Sequence, residues 1–290
     1  MLRLAVVAMV VALAAPAYAG DAARIKQVRA MFDAQIAAIA AHDEAAFAKT
    51  VTPDARILFD VSAADMHRGG VPDGAQTELM YLRGVKVGAS EIGWDGTWGW
   101  IAAELHVTTQ MYAEPEGAGD PHPQLEPHVV HWVALVTLDG AAIKTRAAMI
   151  VETVPDRELR ATNQDRRRKP AASPGAIVAL LANPPALAAQ LSRDPATTIF
   201  GSSEDDRGLG AAAAGKLVER WKKLRLAVLD APTEYTGLGP LEVIDGDHAF
   251  GFAELFLTLG KDPVIVTGFV IAKKAGDAWQ VVAASYAGGT

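Results

Sequence analysis

Apolar and polar positions alternate along the chain with two periods, and the switches between them outline its elements. Over residues 21–41, Ile25, Val28, Phe32, Ile36 and Ile39 recur three and four apart, which predicts an amphipathic helix. Asp43 then stands where its carboxylate can accept from the free N–H groups of a short helix over 44–51. After Pro53 the run 56–60 reads as a strand, Gly69-Gly70 as a loop, and 75–82 as a further helix. Period-two runs follow over 98–112, 128–138 and 142–154, and Asp139-Gly140 between the last two is a tight-hairpin signal. Residues 156–174 are polar, bounded by proline and carry Arg166-Arg167-Arg168-Lys169, which predicts a solvated linker. Beyond it, apolar helices are expected at 177–181 and 186–191, split by Pro184-Pro185, and strands at 247–259, 264–273 and 279–286.

The two halves echo each other in order. Ala103-Glu104-Leu105-His106-Val107-Thr108 returns as Ala253-Glu254-Leu255-Phe256-Leu257-Thr258, and Arg68-Gly69-Gly70 as Arg207-Gly208-Leu209. Pro53 with Ile57-Leu58-Phe59 is matched by Pro195 with Ile199-Phe200, and the segment from Gly140 by that from Gly276. Four matches in register predict two homologous domains, at 20–155 and 175–290.

The first nineteen residues have a different logic. One Arg precedes an apolar run from Leu4 to Ala15, then Pro16 and the small-x-small triplet Ala17-Tyr18-Ala19. That run is short of the ~20 residues that cross a bilayer, so residues 1–19 read as a cleaved signal peptide. The expected address is the bacterial periplasm or the outside of the cell.

Composition narrows the chemistry. The 290 residues are 50% hydrophobic and 21% charged, which fits a folded globular protein. A net charge of -7 argues against nucleic acid as a partner, since phosphate backbones are bound by surplus Lys and Arg. With no Cys, disulfides, thiolate metal sites and cysteine nucleophiles are excluded. No Gly-x-Ser-x-Gly elbow and no nucleotide fingerprint occurs, so no cofactor is expected. His128 and His131 are three apart on one expected strand and point to opposite faces, so no metal site is expected either.

The order of elements resembles the nuclear transport factor 2-like superfamily, in particular its SnoaL-like branch. It runs from a long helix and a short one through a Pro-x-Ala strand (Pro53, Ala55) and an Arg-Gly loop (Arg68, Gly69) to a third helix and three long strands. The resemblance implies an α+β fold of two cone-shaped domains, each a curved antiparallel sheet wrapped around N-terminal helices, paired as an intramolecular pseudo-dimer. It also implies an apolar pocket in each cone, in a superfamily of isomerases, cyclases, dehydratases and non-catalytic binding proteins.

Strand alternation places Trp98, Trp100, Glu104, His106 and Tyr112 on one face. Glu104 beside His106 can fix an imidazole tautomer for acid–base work, with Asp60 as a further carboxylate; Trp94, Trp98, Trp100, Tyr112 and Trp132 are candidate ligand-binding residues. The same face fits better as the outer surface of the sheet, on which domains pair or which meets solvent. The second half keeps Glu254 but has Phe256 where His106 stands, which favours a structural role for the shared glutamate. The function expected is binding of a small apolar molecule or an envelope protein without catalysis; the alternative is an isomerase, cyclase or dehydratase using acid–base chemistry in the first domain.

Overall fold

In the computed structural model the backbone is described over residues 2–59, 66–68, 82–111, 124–153, 169–230, 240–259 and 262–288. Residues 75–81 of the helix expected at 75–82, Asp60 and Tyr112 lie outside them.

Helix α1 (Leu2–Ala41) is continuous through the expected amphipathic stretch. It buries Val28, Phe32 and Ile39. Helix α2 (Glu44–Ala48) begins where Asp43 accepts from the Ala46 N–H at 2.8 Å. It ends three residues short of the expected Val51, because Val51 already belongs to strand β1 (Val51–Phe59). Strands β2 (Met66–Arg68), β3 (Arg83–Asp95), β4 (Trp98–Met111), β5 (Gln124–Asp139) and β6 (Ala142–Glu152) complete the first sheet, in the order β2-β1-β6-β5-β4-β3.

The second half opens with helices α3 (Val178–Leu181) and α4 (Pro184–Ala189). Pro184 and Pro185 do not interrupt a helix but start one, since the first turn leaves its N–H groups free anyway. Strands β7 (Thr198–Phe200) and β8 (Arg207–Leu209), helix α5 (Ala211–Trp221) and strand β9 (Leu226–Val228) follow. Then come β10 (Leu241–Asp245), β11 (His248–Leu259), β12 (Asp262–Ala275) and β13 (Ala278–Gly288). The second sheet runs β10-β11-β12-β13-β7-β8, with β9 also paired to β11.

The two orders superimpose strand for strand: β1 to β6 correspond to β7, β8, β10, β11, β12 and β13. In both sheets the first strand is antiparallel to the second and parallel to the last, at β1–β6 and β7–β13. The sheets are therefore mixed, where purely antiparallel ones were expected: the first strand is separated from its partner by the whole meander and adds to its edge in the same direction. The pairs β3–β4, β5–β6, β10–β11 and β12–β13 are hairpins closed by two-residue turns, with Gly96, Gly140, Gly246 and Gly276 at φ of 62 to 63°. Only glycine adopts that conformation without steric cost. The pairing β5–β6 slips by one between Leu135 and Val136, and β12–β13 slips at the matching place, between Ile271 and Ala272. Such bulges bend a strand and increase sheet twist.

Strands β3 and β10 were not expected. Only the C-terminal part of β3 is buried, and Gly84, Gly88 and Gly93 interrupt its pattern. Lys169 to Ala171, expected within the linker, pair instead with the chain at 228–230.

Among the described residues, three apolar clusters hold the molecule together. One, with Phe32, Ile39, Trp94 and Trp132, fills the space between α1, α2 and the first sheet. A second, with Leu181, Leu187, Leu217, Trp221 and Tyr286, lies between the helices of the second half and its sheet. The third joins Trp98, Trp100, Val133 and Met149 of the first sheet to Phe200, Phe250, Phe252 and Phe269 of the second. The sheets thus pack back to back, each with its helices on the outer side.

Candidate functional site

Alternation along β4 sends Trp98, Trp100 and Glu104 into the seam between the sheets. Trp98 stacks on His248 with centroids 5.0 Å apart, and the Trp100 indole N–H donates to the Ala196 carbonyl at 3.0 Å. Glu104 and His106 are adjacent, as their spacing requires: His106 Nε2 lies 3.2 Å from Glu104 Oε1. The second carboxylate oxygen accepts from the Arg207 guanidinium, which comes from the other half of the chain. Glu104 is buried, whereas His106 and Arg207 are half-exposed at the rim of the seam. The carboxylate holds Arg207 above its ordinary pKa, chiefly through that hydrogen bond.

His131, opposite Glu104 in register, is fully buried and stacked on Phe200 with centroids 4.1 Å apart. Burial pulls its pKa down to about 4, against the opposing pull of Glu104 and the Gly201 backbone and with a smaller push from Arg207. Neither ring nitrogen reaches good hydrogen-bond geometry among the described residues. The imidazole is neutral at pH 7.

The tryptophans do not share a site. Trp94 and Trp132 point to the opposite side of the first sheet, into its helix-covered core, where Trp132 meets Phe32 edge-on at 5.4 Å. Trp94 donates its indole N–H to the Gly96 carbonyl at 2.9 Å. With Trp98 and Trp100 in the seam, the four rings divide between two faces.

Among the described residues, a concave site lies elsewhere. A cavity of about 280 Å³ opens in the second half, between α5, β9 and the sheet. Its walls are Trp221, Leu224, Leu226, Leu257, Val266 and Tyr286; Gly201, Ser202, Asp206 and Arg220 line its polar side. Helix α5 carries Ala214, Leu217, Val218 and Trp221 as its buried face, which sets Trp221 edge-on to Tyr286 at 5.1 Å. The Tyr286 hydroxyl donates to the Leu181 carbonyl at 3.1 Å, and full burial holds the phenol above its usual pKa.

The β7–β8 connection closes tightly over one side of the cavity. Gly201 N–H donates to the Asp206 carbonyl at 2.6 Å, and Asp206 N–H to the Ser203 carbonyl at 3.0 Å. A Cβ at Gly201 would stand 2.5 Å from the Asp206 Cβ, so only glycine allows this approach. Across the opening, Arg220 Nη2 donates to Asp206 Oδ1 at 3.0 Å. An apolar chamber with a few polar groups at its entrance is the usual form of a small-ligand site.

This cavity went unread in the sequence because five elements and two connections contribute its lining, most of them one or two residues each. The available signal was the amphipathic run 214–221 ending in Trp221 and followed by Leu224 and Leu226.

No family model matches the chain, and no curated protein matches it in sequence. Solved structures align with part of it. A protein of the NTF2-like family from Streptomyces avermitilis is 10% identical over 45% of this chain and 97% of its own, with a TM-score of 0.37. A ketosteroid isomerase-like protein from Erwinia carotovora atroseptica is 12% identical over 45% and 97%, with a TM-score of 0.34. A protein with a cystatin-like fold from Caulobacter vibrioides is 13% identical over 45% and 90%, with a TM-score of 0.35.

Proposed function

We propose that this chain is a small-molecule binding protein whose ligand occupies the cavity of the second half. It is built from two copies of one α+β unit, and residues 1–19 direct it out of the cytoplasm and are removed. The cavity carries the functional reading: its apolar walls enclose space that the neighbouring side chains leave open. The matching strand orders and the matching bulges support the two-copy reading. Glu104 and His106 sit in the seam, so acid–base chemistry by this pair would need a substrate at the rim of the interface and not in the cavity.

Filling the chamber tests the assignment. Leu257→Trp places an indole into the cavity, so small apolar molecules that co-purify with the full chain, detected by native mass spectrometry, are expected on the unsubstituted protein and not on the variant. Equal occupancy of the two proteins, with the variant folded by circular dichroism, would place the ligand elsewhere.

A further inference from the structure

We infer that the cavity selects an apolar molecule carrying a single negative charge, such as an aryl or alkyl monocarboxylate, and that the ligand's anionic head takes up donors of Arg220 beside Asp206. This rests on the ligand-binding reading of the same chamber.

The two charged groups at the entrance are unequally free. Asp206 is held by its backbone on both sides, its Cβ is pressed against Gly201, and its side chain is only 28% exposed. Arg220 is 62% exposed on the last turn of α5 and gives Asp206 only Nη2. A guanidinium has five N–H donors in a planar fork suited to carboxylates. Arg220 therefore meets a second carboxylate with unused donors, while Asp206 has little room to receive a cation.

The local field points the same way. Between Lys216 and Arg225 stand Lys216, Arg220, Lys222, Lys223 and Arg225 against one acid, Glu219, and Glu219 is paired to Lys222 at 2.7 Å. This excess occurs in a protein whose net charge is -7. Of the acids on the facing loop, Glu204 and Asp205 act on Arg207, where both raise its pKa. The chamber floor offers no charge: Leu226, Leu257 and Val266 pack there, and the Tyr286 hydroxyl is committed to Leu181. An apolar body on that floor brings its head to the Arg220 end, where water still reaches it. At about 280 Å³ the chamber suits one ring or a short chain, and it lies just below the ~300 Å³ at which drug-sized sites begin.

Three probes with one apolar body separate head charge from body: 4-phenylbutyrate, 4-phenylbutyramide and 4-phenylbutylamine, titrated into the full chain by calorimetry at low salt. The expected order is carboxylate, then amide, then amine, with about tenfold between the first two. Arg220→Gln should bring carboxylate and amide together, and Asp206→Asn should tighten the carboxylate. Equal binding of carboxylate and amide, tightest binding of the amine, or a carboxylate preference that survives Arg220→Gln would overturn the anion inference while leaving the chamber as a binding site. Binding of all three that Leu257→Trp or Leu226→Trp leaves unchanged, or no binding at millimolar concentration, would remove the chamber reading itself.

Discussion

At the scale of single residues, the seam contains an unusual histidine. His131 is buried from both sheets, stacked on Phe200 and kept neutral, with a pKa of about 4 against an ordinary 6.5. For a histidine depressed in the fold, the stabilising difference is complete above pH 6.5 and is lost as pH falls from 6.5 towards 4, because the unfolded chain takes up a proton that the fold rejects. The full loss is about 3 kcal/mol, taking 1.36 kcal/mol for each pKa step. His131→Phe keeps the stack and removes the titration. Urea midpoints at pH 7.5 and pH 5 should therefore fall more for the unsubstituted protein than for the variant; an equal fall in both would mean that His131 is charged or solvated in the fold. Glu104 belongs to the same cluster, and its pairing with Arg207 shows why the Glu-x-His spacing did not reveal the role of the pair. Alternation correctly places the two side by side, yet the seam and a pocket wall both need an amphipathic face, and one strand's pattern cannot distinguish them.

At the scale of elements, α5 links packing to the cavity. It crosses β8 so closely that a Cβ on Gly208 would lie 2.6 Å from the Ala214 Cα and 2.7 Å from its N, both helix backbone atoms that cannot yield separately. Gly208→Ala should therefore push the helix outward at about 1–3 kcal/mol, the usual range for overpacking, and weaken ligand binding by displacing Trp221. Gly215, on the same helix, faces open space with ordinary helical φ. Gly215→Ala should stabilise by about 0.5–1 kcal/mol through helix propensity, with ligand affinity unchanged. Thermal melts of both variants check the opposite signs, and a neutral Gly208→Ala would show that helix and strand have room between them. Elements with a strong local cause were legible in the sequence: α2 from the Asp43 cap, the β5–β6 hairpin from Asp139-Gly140, and the core face of α1 from Val28, Phe32 and Ile39. Strand β3 was not, because its first half alternates over a surface with little to bury, and three glycines erase the pattern that would have marked it.

At the scale of the whole molecule, the seam decides whether the two halves are separable. Trp98, Trp100 and Met149 from one sheet and Phe200, Phe252 and Phe269 from the other are at most 1% exposed. The rim is polar: Arg146 pairs with Asp245, Arg207 with Glu104, and Lys273 lies 3.4 Å from Asp95. An apolar centre with a charged edge is the anatomy of a lasting protein interface, and the two edge pairs whose acids, Asp245 and Asp95, are about half exposed add little to its strength. Pairing of the halves is thus driven by the aromatic centre, and removing one half uncovers that centre on the other. Residues 169–290 expressed alone would present Phe200, Phe250, Phe252 and Phe269 as one contiguous apolar patch, the kind of surface that marks an interaction face. Two such fragments can cover each other only through the same face, so they should form a back-to-back pair with twofold symmetry. Light scattering at tens of micromolar should give twice the fragment mass, and Phe252→Lys should shift it towards one. A folded fragment that stays monomeric with all four phenylalanines intact would mean that the seam is a late contact between self-sufficient halves and not a core that they share.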